Sequence, residues 1–507
     1  MIACTTSASA FAKVVDEPAT PSTCGSEFSA EQYFKPFTPS DLMPIAFERS
    51  EAGQAYRESL LKDSVFLIVC GGSLNKCEHY RQLQAQYGVR FVLLDSKSST
   101  TEFLTSRDIV DAFLDVDMTP RPTMVAECVA AIQEYVESSG TVFRGIFTLW
   151  DDSVTLHSRI CAHFHMPCSS IGSVDTAHDK KATRDALEAA GLTTPPHAKV
   201  STEEELLSAS VRIGFPCVLK PLSGGASLGV YIVHDEQSLL SSFRKAIAES
   251  QEYYESGELM GLVFEDCEAN ISQTTEDLHA LILEGFVSGP EVDCDVVMDD
   301  GVVQYIMVSD DWPLVEPYLT EFGHNCPSQL PEEQVEAMKV MALKCCEAFG
   351  LTQGAFHVEL KFDPILGACL IELNARMGGG GVRYMHVAAT GVDLGVESLF
   401  VTCGIPSRPI CRQLAWSCSH EYFVARSGVA MADSRVFLEE IMRTMPSVKS
   451  VEGNLMVGDE VCSREDGFPS ALGRLVVAST QSPAEAYAIG EYIRHLTDEK
   501  FPIESSQ

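Results

Sequence analysis

The residues best placed to do chemistry lie in one stretch, "HVELKFDPILGACLIELNAR", residues 357–376. It sets two acids, Glu359 and Glu372, among apolar neighbours, where an ionised carboxylate is costly unless something compensates it. Side chains on a strand alternate between faces. His357, Glu359 and Lys361 therefore share one face of a first strand, and Val358, Leu360 and Phe362 take the other. "DPILGA" is a turn by composition. Beyond it Leu370, Glu372, Asn374 and Arg376 are expected on one face, with Cys369, Ile371 and Leu373 opposite. A hairpin would then bring two carboxylates and an amide oxygen to one surface. Oxygen donors of this kind suit a hard cation, and magnesium takes one or two carboxylates plus phosphate oxygens. A water-facing sheet with Glu–Lys pairs across strands explains the alternation equally well. The glycine run in "RMGGGGVR" favours the cation, because such a run weakens a packed element and lets backbone approach a ligand.

Other residues suit the phosphates such a cation would accompany. Lys180 and Lys220 are cations in stretches otherwise fit for burial, although a snorkelling lysine is the ordinary alternative for Lys220. "SGGASLG" (223–229) is a small-residue loop whose backbone N–H groups, with Ser223, Gly224, Gly225 and Ser227, can fold over phosphate oxygens. It lacks the G-K-[ST] ending of a P-loop. Glu284, opening "EGFV", is suited to accept from an adenine amino group, and Glu291 to hold ribose hydroxyls.

The elements that must position these residues fall into blocks. Residues 1–40, rich in Ser, Thr and Pro, read as a flexible tail. "VFLIVCGG" (65–72), "VRFVLLD" (89–95) and "GIFTLWDD" (145–152) read as strands alternating with helices, which implies a parallel sheet covered on both faces. Residues 41–175 are taken as that α/β domain. Gly71-Gly72 is too little for a dinucleotide fingerprint. Asp179 caps a helix that runs to Ala190 and ends at Gly191. "FPCVLKPLSGGASLGVYIV" (215–233) is a hairpin around the loop. "LILEGFVSGPEVDCDVVMDDGVV" (281–303) gives two strands and an Asp-Asp-Gly turn. Residues 331–350 are helical by spacing. They include Lys339 in "EAMKVM", whose likeness to a biotin-carrier lysine motif fails because it sits on a helix. The segment 401–507 mixes short strands with a helix from Ser482 to Leu496.

The chain has 507 residues, 45% of them hydrophobic, enough for several cores. Lys and Arg total 36 against 72 Asp and Glu, for a formal net charge of −36. That balance argues against nucleic-acid or anionic-membrane partners. The 18 cysteines are scattered and form no C-x-x-C pair, which fits a reducing, cytoplasmic setting. "MIACTTSASAFAK" is a weak targeting candidate, and no run of about 18 apolar residues exists to span a membrane.

In order, spacing and type, Lys180, Lys220, the 223–229 loop, Glu284, Glu291, Glu359, Glu372 and Asn374 resemble the ATP-grasp ligases over roughly residues 175–400. The resemblance implies an ATP-grasp fold, α/β and α+β in class. An N-terminal parallel-sheet domain would precede the ATP-grasp domain (176–400, two subdomains with a hinge near 284–291), and a lid-like α+β subdomain (401–507) would follow. It implies that Lys180 and Lys220 touch ATP phosphates, Glu284 the adenine, Val287 the base through its backbone, and Glu291 the ribose. Glu359 and Glu372 would bridge two Mg2+ ions, which Mn2+ can replace, with Asn374 completing one of them. "WDDSV" (150–154), "EFGHNCPS" (321–328), "HVELK" and "IELNARMGGGG" look most like the dipeptide-forming amino-acid ligases, which include carnosine synthase and the L-amino acid α-ligases. The implied reaction joins a carboxylate to an amine through an acyl phosphate, with small-molecule amino acids as partners and a homodimer as the default assembly. Arg376 would clamp a carboxylate or phosphate and stabilise the oxyanion. His324 would hold an amino acid carboxylate or shape its pocket, beside Gly379. No general base stands out. A different ATP-grasp ligase or carboxylase, or a non-catalytic nucleotide-binding regulator, is the rival reading.

Overall fold

Strands β1 (Val65–Val69), β2 (Arg90–Asp95), β3 (Ala112–Asp115) and β4 (Phe143–Phe147) form a parallel sheet in the order β3-β2-β1-β4. The computed structural model describes residues 28–119, 121–222, 229–255, 280–313, 321–466 and 469–504. The apolar runs of β1 and β2 are continuous because helices cover both faces: Phe66 and Ile68 join one core, Leu67 and Val69 another. β3 carries no distinctive pattern, is half-buried and escapes the sequence reading. The chain turns to opposite sides of β1 to make β2 and β4, so a crevice opens at the carboxyl ends of β1 and β4. There Gly72 adopts φ +74°, and a Cβ on it would stand 2.7 Å from the Trp150 ring. The glycine pair therefore serves close packing.

Of the tail expected over residues 1–40, residues 1–27 lie outside the described residues and residues 34–35 are packed on the sheet. Phe34 is buried, stacks on Phe164 with ring centroids 4.0 Å apart, and its neighbour Lys35 bonds to the Phe143 carbonyl. An aromatic residue inside a polar stretch outweighed the composition around it.

A second, antiparallel sheet has the order β5-β8-β6-β7, from β5 (His197–Val200), β6 (Cys217–Pro221), β7 (Tyr231–Val233) and β8 (Leu281–Gly285). Two helices, Glu203–Ile213 and Glu236–Glu255, cover one face, where Leu219, Leu283, Leu206 and Leu239 are buried together. By alternation, Val218, Lys220 and Glu284 are left on the other face.

The third sheet has eight strands in the order β13-β12-β9-β10-β11-β14-β18-β16. Its members are β9 (Glu291–Asp299), β10 (Val302–Asp311), β11 (Gly323–Cys326), β12 (Gly354–Asp363), β13 (Gly367–Asn374), β14 (Trp416–Phe423), β16 (Val448–Gly453) and β18 (Ala471–Ser479). β15 (Gly428–Ala430), β17 (Glu460–Val461) and β19 (Ile503–Glu504) make a small separate sheet. Val292, Cys294 and Val296 of β9 pack with the helix Glu332–Phe349, while Asp293 and Asp295 point to the opposite side. The expected boundary at 400/401 falls inside the helix Leu394–Thr402, and β11 pairs directly with β14. The C-terminal strands thus extend the same sheet that bears the acids. No helix among the described residues is long and apolar enough to cross a membrane.

Candidate active site

The β12–β13 hairpin sets Glu359 directly opposite Glu372 and His357 opposite Asn374. Directly opposed side chains share a face, so the two carboxylates meet. Burial, and then the charge of Glu372, push the Glu359 carboxyl well above its ordinary value. The pair needs a proton or a cation between its members.

The expected alternation fails one step further along. Glu359 pairs with Glu372 but Leu360 pairs with Leu370, which leaves Ile371 as the extra residue of a β-bulge. Leu370 consequently faces the apolar core beside Leu360 and Leu373, and Ile371 faces the cleft. Arg184, fully buried on the helix Lys180–Ala189, donates to the carbonyls of Leu370 (2.8 Å) and Ile371 (3.0 Å) at this bulge. Its Nε also donates to Glu284 Oε1 at 2.6 Å, and its Nη2 to Oε2 at 3.2 Å. One guanidinium thus joins two sheets. Sequence reasoning missed it, although an arginine four residues past Lys180 on an amphipathic helix was a visible signal.

Lys220 Nζ lies 2.8 Å from Glu284 Oε2. Burial raises the carboxyl pKa of Glu284, but Arg184 and Lys220 outweigh it and hold the group well below its ordinary range. Burial, helped by Arg184 and Lys180, lowers the pKa of the Lys220 ammonium. Arg184 and Lys220 thus hold in place the Glu284 carboxylate, which is expected from sequence to meet the adenine. Lys180 follows Asp179, whose Oδ1 caps the helix by accepting from Ala182 N at 2.7 Å. Its Nζ lies 3.1 Å from Glu372 Oε1. Burial lowers the Lys180 pKa, yet Glu372, Asp151 and Glu359 together raise it above the ordinary lysine value.

Asn374 lies between two carboxylates. Its Nδ2 is 3.3 Å from Glu359 Oε1, and with the amide turned over it donates to Asp151 at 3.0 Å and leaves its oxygen beside Glu359. That second orientation gives Glu359, Glu372 and Asn374 three oxygen donors on one side, a set that fits a hard divalent cation. Arg376 Nε meets Asp151 Oδ1 at 3.1 Å. Asp151 follows β4 in "WDDSV", so the N-terminal domain reaches the site through this ion pair. Acids at the carboxyl end of a parallel strand were the available signal.

These groups line one cleft of about 350 Å³. Lys180, Lys220, Glu284, Val287, Glu291, Glu359, Glu372, Asn374, Arg376, His324 and Gly379 all border it. Glu291 pairs with Lys361 at 3.2 Å. Val218, Ile232, Phe286, Val287 and Ile371 give one part of the cleft an apolar lining. Ser223, Gly224, Gly225 and Ser227 lie outside the described residues.

The remainder of the cleft carries both signs of charge. His324 Nδ1 lies 2.5 Å from Asp311, 3.6 Å from Asp293, and its Nε2 is 3.8 Å from Glu321. Burial lowers the His324 pKa, but Asp311 and Glu321 raise it further and leave it above the ordinary value. Three carboxyl groups thus surround one imidazole, and burial, then Asp311, push the Asp293 carboxyl well above its ordinary value. Arg376 and Arg474 border the same cleft, Arg474 near enough to His324 to act on it and paired with Glu421. A Cβ on Gly380 would collide with the Arg474 guanidinium, and one on Gly379 would lie 3.3 Å from Lys76 Nζ. Burial and then Arg376 pull Lys76 down to about 7. Neither Lys76 nor Arg474 carried a sequence signal, because both come from outside the stretch that bears the motifs.

Residues 213–383 match the family model described as ATP-grasp domain. The chain carries an ATP-grasp domain. Human carnosine synthase 1 is 29% identical over 366 residues, 70% of this chain and 42% of that protein. Chicken carnosine synthase 1 is 26% identical over 473 residues, 86% of this chain and 47% of that protein. The chain thus spans less than half the length of these curated relatives. The alanine–anticapsin ligase of Bacillus subtilis (strain 168) is 26% identical over 258 residues, 48% of this chain and 51% of the ligase. Among solved structures, the L-amino acid ligase from Bacillus licheniformis superposes with a TM-score of 0.68 at 18% identity, covering 88% of this chain and all of that one. The shared fold thus covers more of the chain than residues 213–383.

Proposed function

We propose that the protein is an ATP-dependent ligase that joins the carboxylate of one amino acid to the amine of another. A substrate carboxylate attacks the γ-phosphate of ATP, giving an acyl phosphate and ADP. The amine then attacks the acyl carbon and phosphate leaves. The observation that carries the reading is the junction of two environments in one cleft. The facing pair Glu359–Glu372 with Lys180 suits a metal–phosphate assembly, and it shares its cleft with the acids Asp311 and Glu321 and the arginines Arg376 and Arg474. A lining that carries both signs of charge suits a zwitterion.

Phosphoryl transfer asks for positioning and charge neutralisation more than covalent help. Lys180 and Lys220 supply the fixed cations for phosphate oxygens. Glu359, Glu372 and Asn374 would hold magnesium, which when bound neutralises phosphate charge. The apolar part around Phe286 and Val287 would receive the base, with backbone groups of that segment reading its edge. Glu291, held by Lys361, would face the ribose. Arg376, fixed by Asp151, would stabilise charge on the transferring group and on the tetrahedral oxyanion. The acids around His324 would receive an ammonium group. The same reading places the protein in the cytoplasm as a homodimer.

The test is incubation of the purified chain with ATP, Mg2+ and pairs of amino acids, with ADP, phosphate and product mass measured together. A product lighter than the summed substrates by one water, formed with one ADP and one phosphate, is expected. Release of phosphate that depends on bicarbonate and needs no amine would replace this reading with carboxylation.

A further inference from the structure

Behind the Arg376 end of the cleft lies a second set of ligand-type side chains, chemically unlike the oxygen donors of β12 and β13. His157 and Cys161 are one turn apart on the helix Val154–His163, and so on one face of it. The chain reverses after the helix, with His165 at φ +55°, and brings Cys168 back against them. Cys161 Sγ is 3.4 Å from His157 Nε2, and Cys168 Sγ is 3.9 Å from His157 Nδ1. One ligand atom from each of the three residues lies within 4.8 Å of the others. Both cysteines are free thiols.

Two further observations point to a ligand. His157 Nε2 is 3.0 Å from the Ile146 carbonyl, an acceptor, so this nitrogen carries the proton. Nδ1 is left with its lone pair and faces Cys168. A ring N–H donated to a backbone carbonyl is the usual way a metal-binding histidine is held in the right tautomer. Secondly, His157 and Cys168 border a small cavity of about 50 Å³, which also touches Arg376 and Met377. That is room for a water beside His157 and Cys168.

We propose that His157, Cys161 and Cys168 bind one thiophilic divalent cation, zinc in particular, with a water as fourth ligand. Zinc–sulfur bonds of about 2.3 Å and zinc–nitrogen bonds of about 2.0–2.1 Å place tetrahedral ligand atoms roughly 3.6–3.8 Å apart. Cys168 already faces Nδ1, and Cys161, 3.4 Å from Nε2, would turn toward Nδ1 to reach that spacing. Binding replaces the thiol protons, which pass to solvent, and two thiolates balance the charge of the ion. Oxygen-preferring magnesium is a poor competitor for such a set.

The site would act as a strut. It links the helix Val154–His163, the end of β4 through Ile146, and the segment around Cys168. The next residue, Ser169, accepts from Thr352 N and Gln353 N at 3.1 Å each. Those two residues lead into β12, which bears Glu359. An ion here would therefore clamp the N-terminal domain to the strand that presents the first acid.

Reduced, chelator-treated full-length protein titrated with Co2+ in excess Mg2+ tests the proposal. A thiolate-to-cobalt charge-transfer band that saturates at one equivalent and is displaced by Zn2+ is expected. Cys168→Ser and Cys161→Ser should each weaken binding roughly 100-fold or more. No band in the wild-type chain, or a band unchanged in both variants, overturns the proposal. Zinc-edge X-ray absorption of the wild-type chain needs no variant. A shell with two sulfurs at about 2.3 Å and lighter atoms otherwise is expected, and a shell of oxygens or of four sulfurs would sink it.

Discussion

Glu359 and Glu372 are tolerable neighbours only because something positive is due between or beside them. Lys180 supplies part of that at 3.1 Å from Glu372, and a divalent ion would supply the rest. Glu372→Gln keeps the shape and removes the charge. It should lower ATP-dependent turnover by about 100-fold or more while leaving the circular dichroism spectrum unchanged; a fully active variant would remove the metal assignment. Arg376→Lys keeps a charge but loses the planar fork, so turnover should fall by roughly 10–1000-fold with nucleotide affinity little altered, as separate kcat and ATP-binding measurements would report. Much of this was readable from the chain, because a carboxylate amid apolar residues is a conflict that sequence displays. The carboxyl groups around His324 were not foreseen. Its surroundings, Asp293 and Asp311, lie 31 and 13 positions earlier in sequence and only pairing between strands assembles them.

At the level of elements, the bulge at Ile371 was hidden, since alternation presumes an unbroken pleat. Its consequence is the two carbonyls that Arg184 satisfies. Arg184→Met would leave those carbonyls unpaired and Glu284 with Lys220 alone. Loss on the order of 3–5 kcal/mol is expected in urea unfolding, far more than an exposed arginine would cause. The helix Leu394–Thr402 supports a different prediction. Burial pushes the Glu397 carboxyl up from 4.5 to about 7, although Ser407 Oγ donates to it at 2.6 Å. The folded state thus holds a proton that the unfolded chain releases near pH 4.5. Stability from this group is complete below that pH and is lost as pH rises through about 7. Glu397→Gln should flatten this slope and gain stability on the order of 3 kcal/mol at pH 8 relative to wild type, measured by denaturation across pH. Strand hairpins and long amphipathic helices were legible because their periods are strong; β3, four residues and half-buried, had no period to show.

Across the whole molecule, a net charge of −36 surrounds a cleft that collects Lys180, Lys220, Arg376 and Arg474. Long-range repulsion of nucleotide should therefore be screened by salt while the buried cations keep their hold. kcat/KM for ATP is expected to rise by a few-fold from low to physiological ionic strength, and a steep fall would mean that the acidic exterior does not govern approach. The parallel sheet before residue 175 was legible from alternating strands and helices. The continuation of the long sheet past residue 400 was not, because no local pattern announces which distant strand an edge will adopt. The approach of Gly72 to Trp150 carries this scale to its end. The indole sits one residue before the acid that fixes Arg376, so a methyl group at 72 would be transmitted through the ring to a guanidinium encoded three hundred positions later. The tolerance of the chemistry to error is thus set in a glycine turn that touches no reactant.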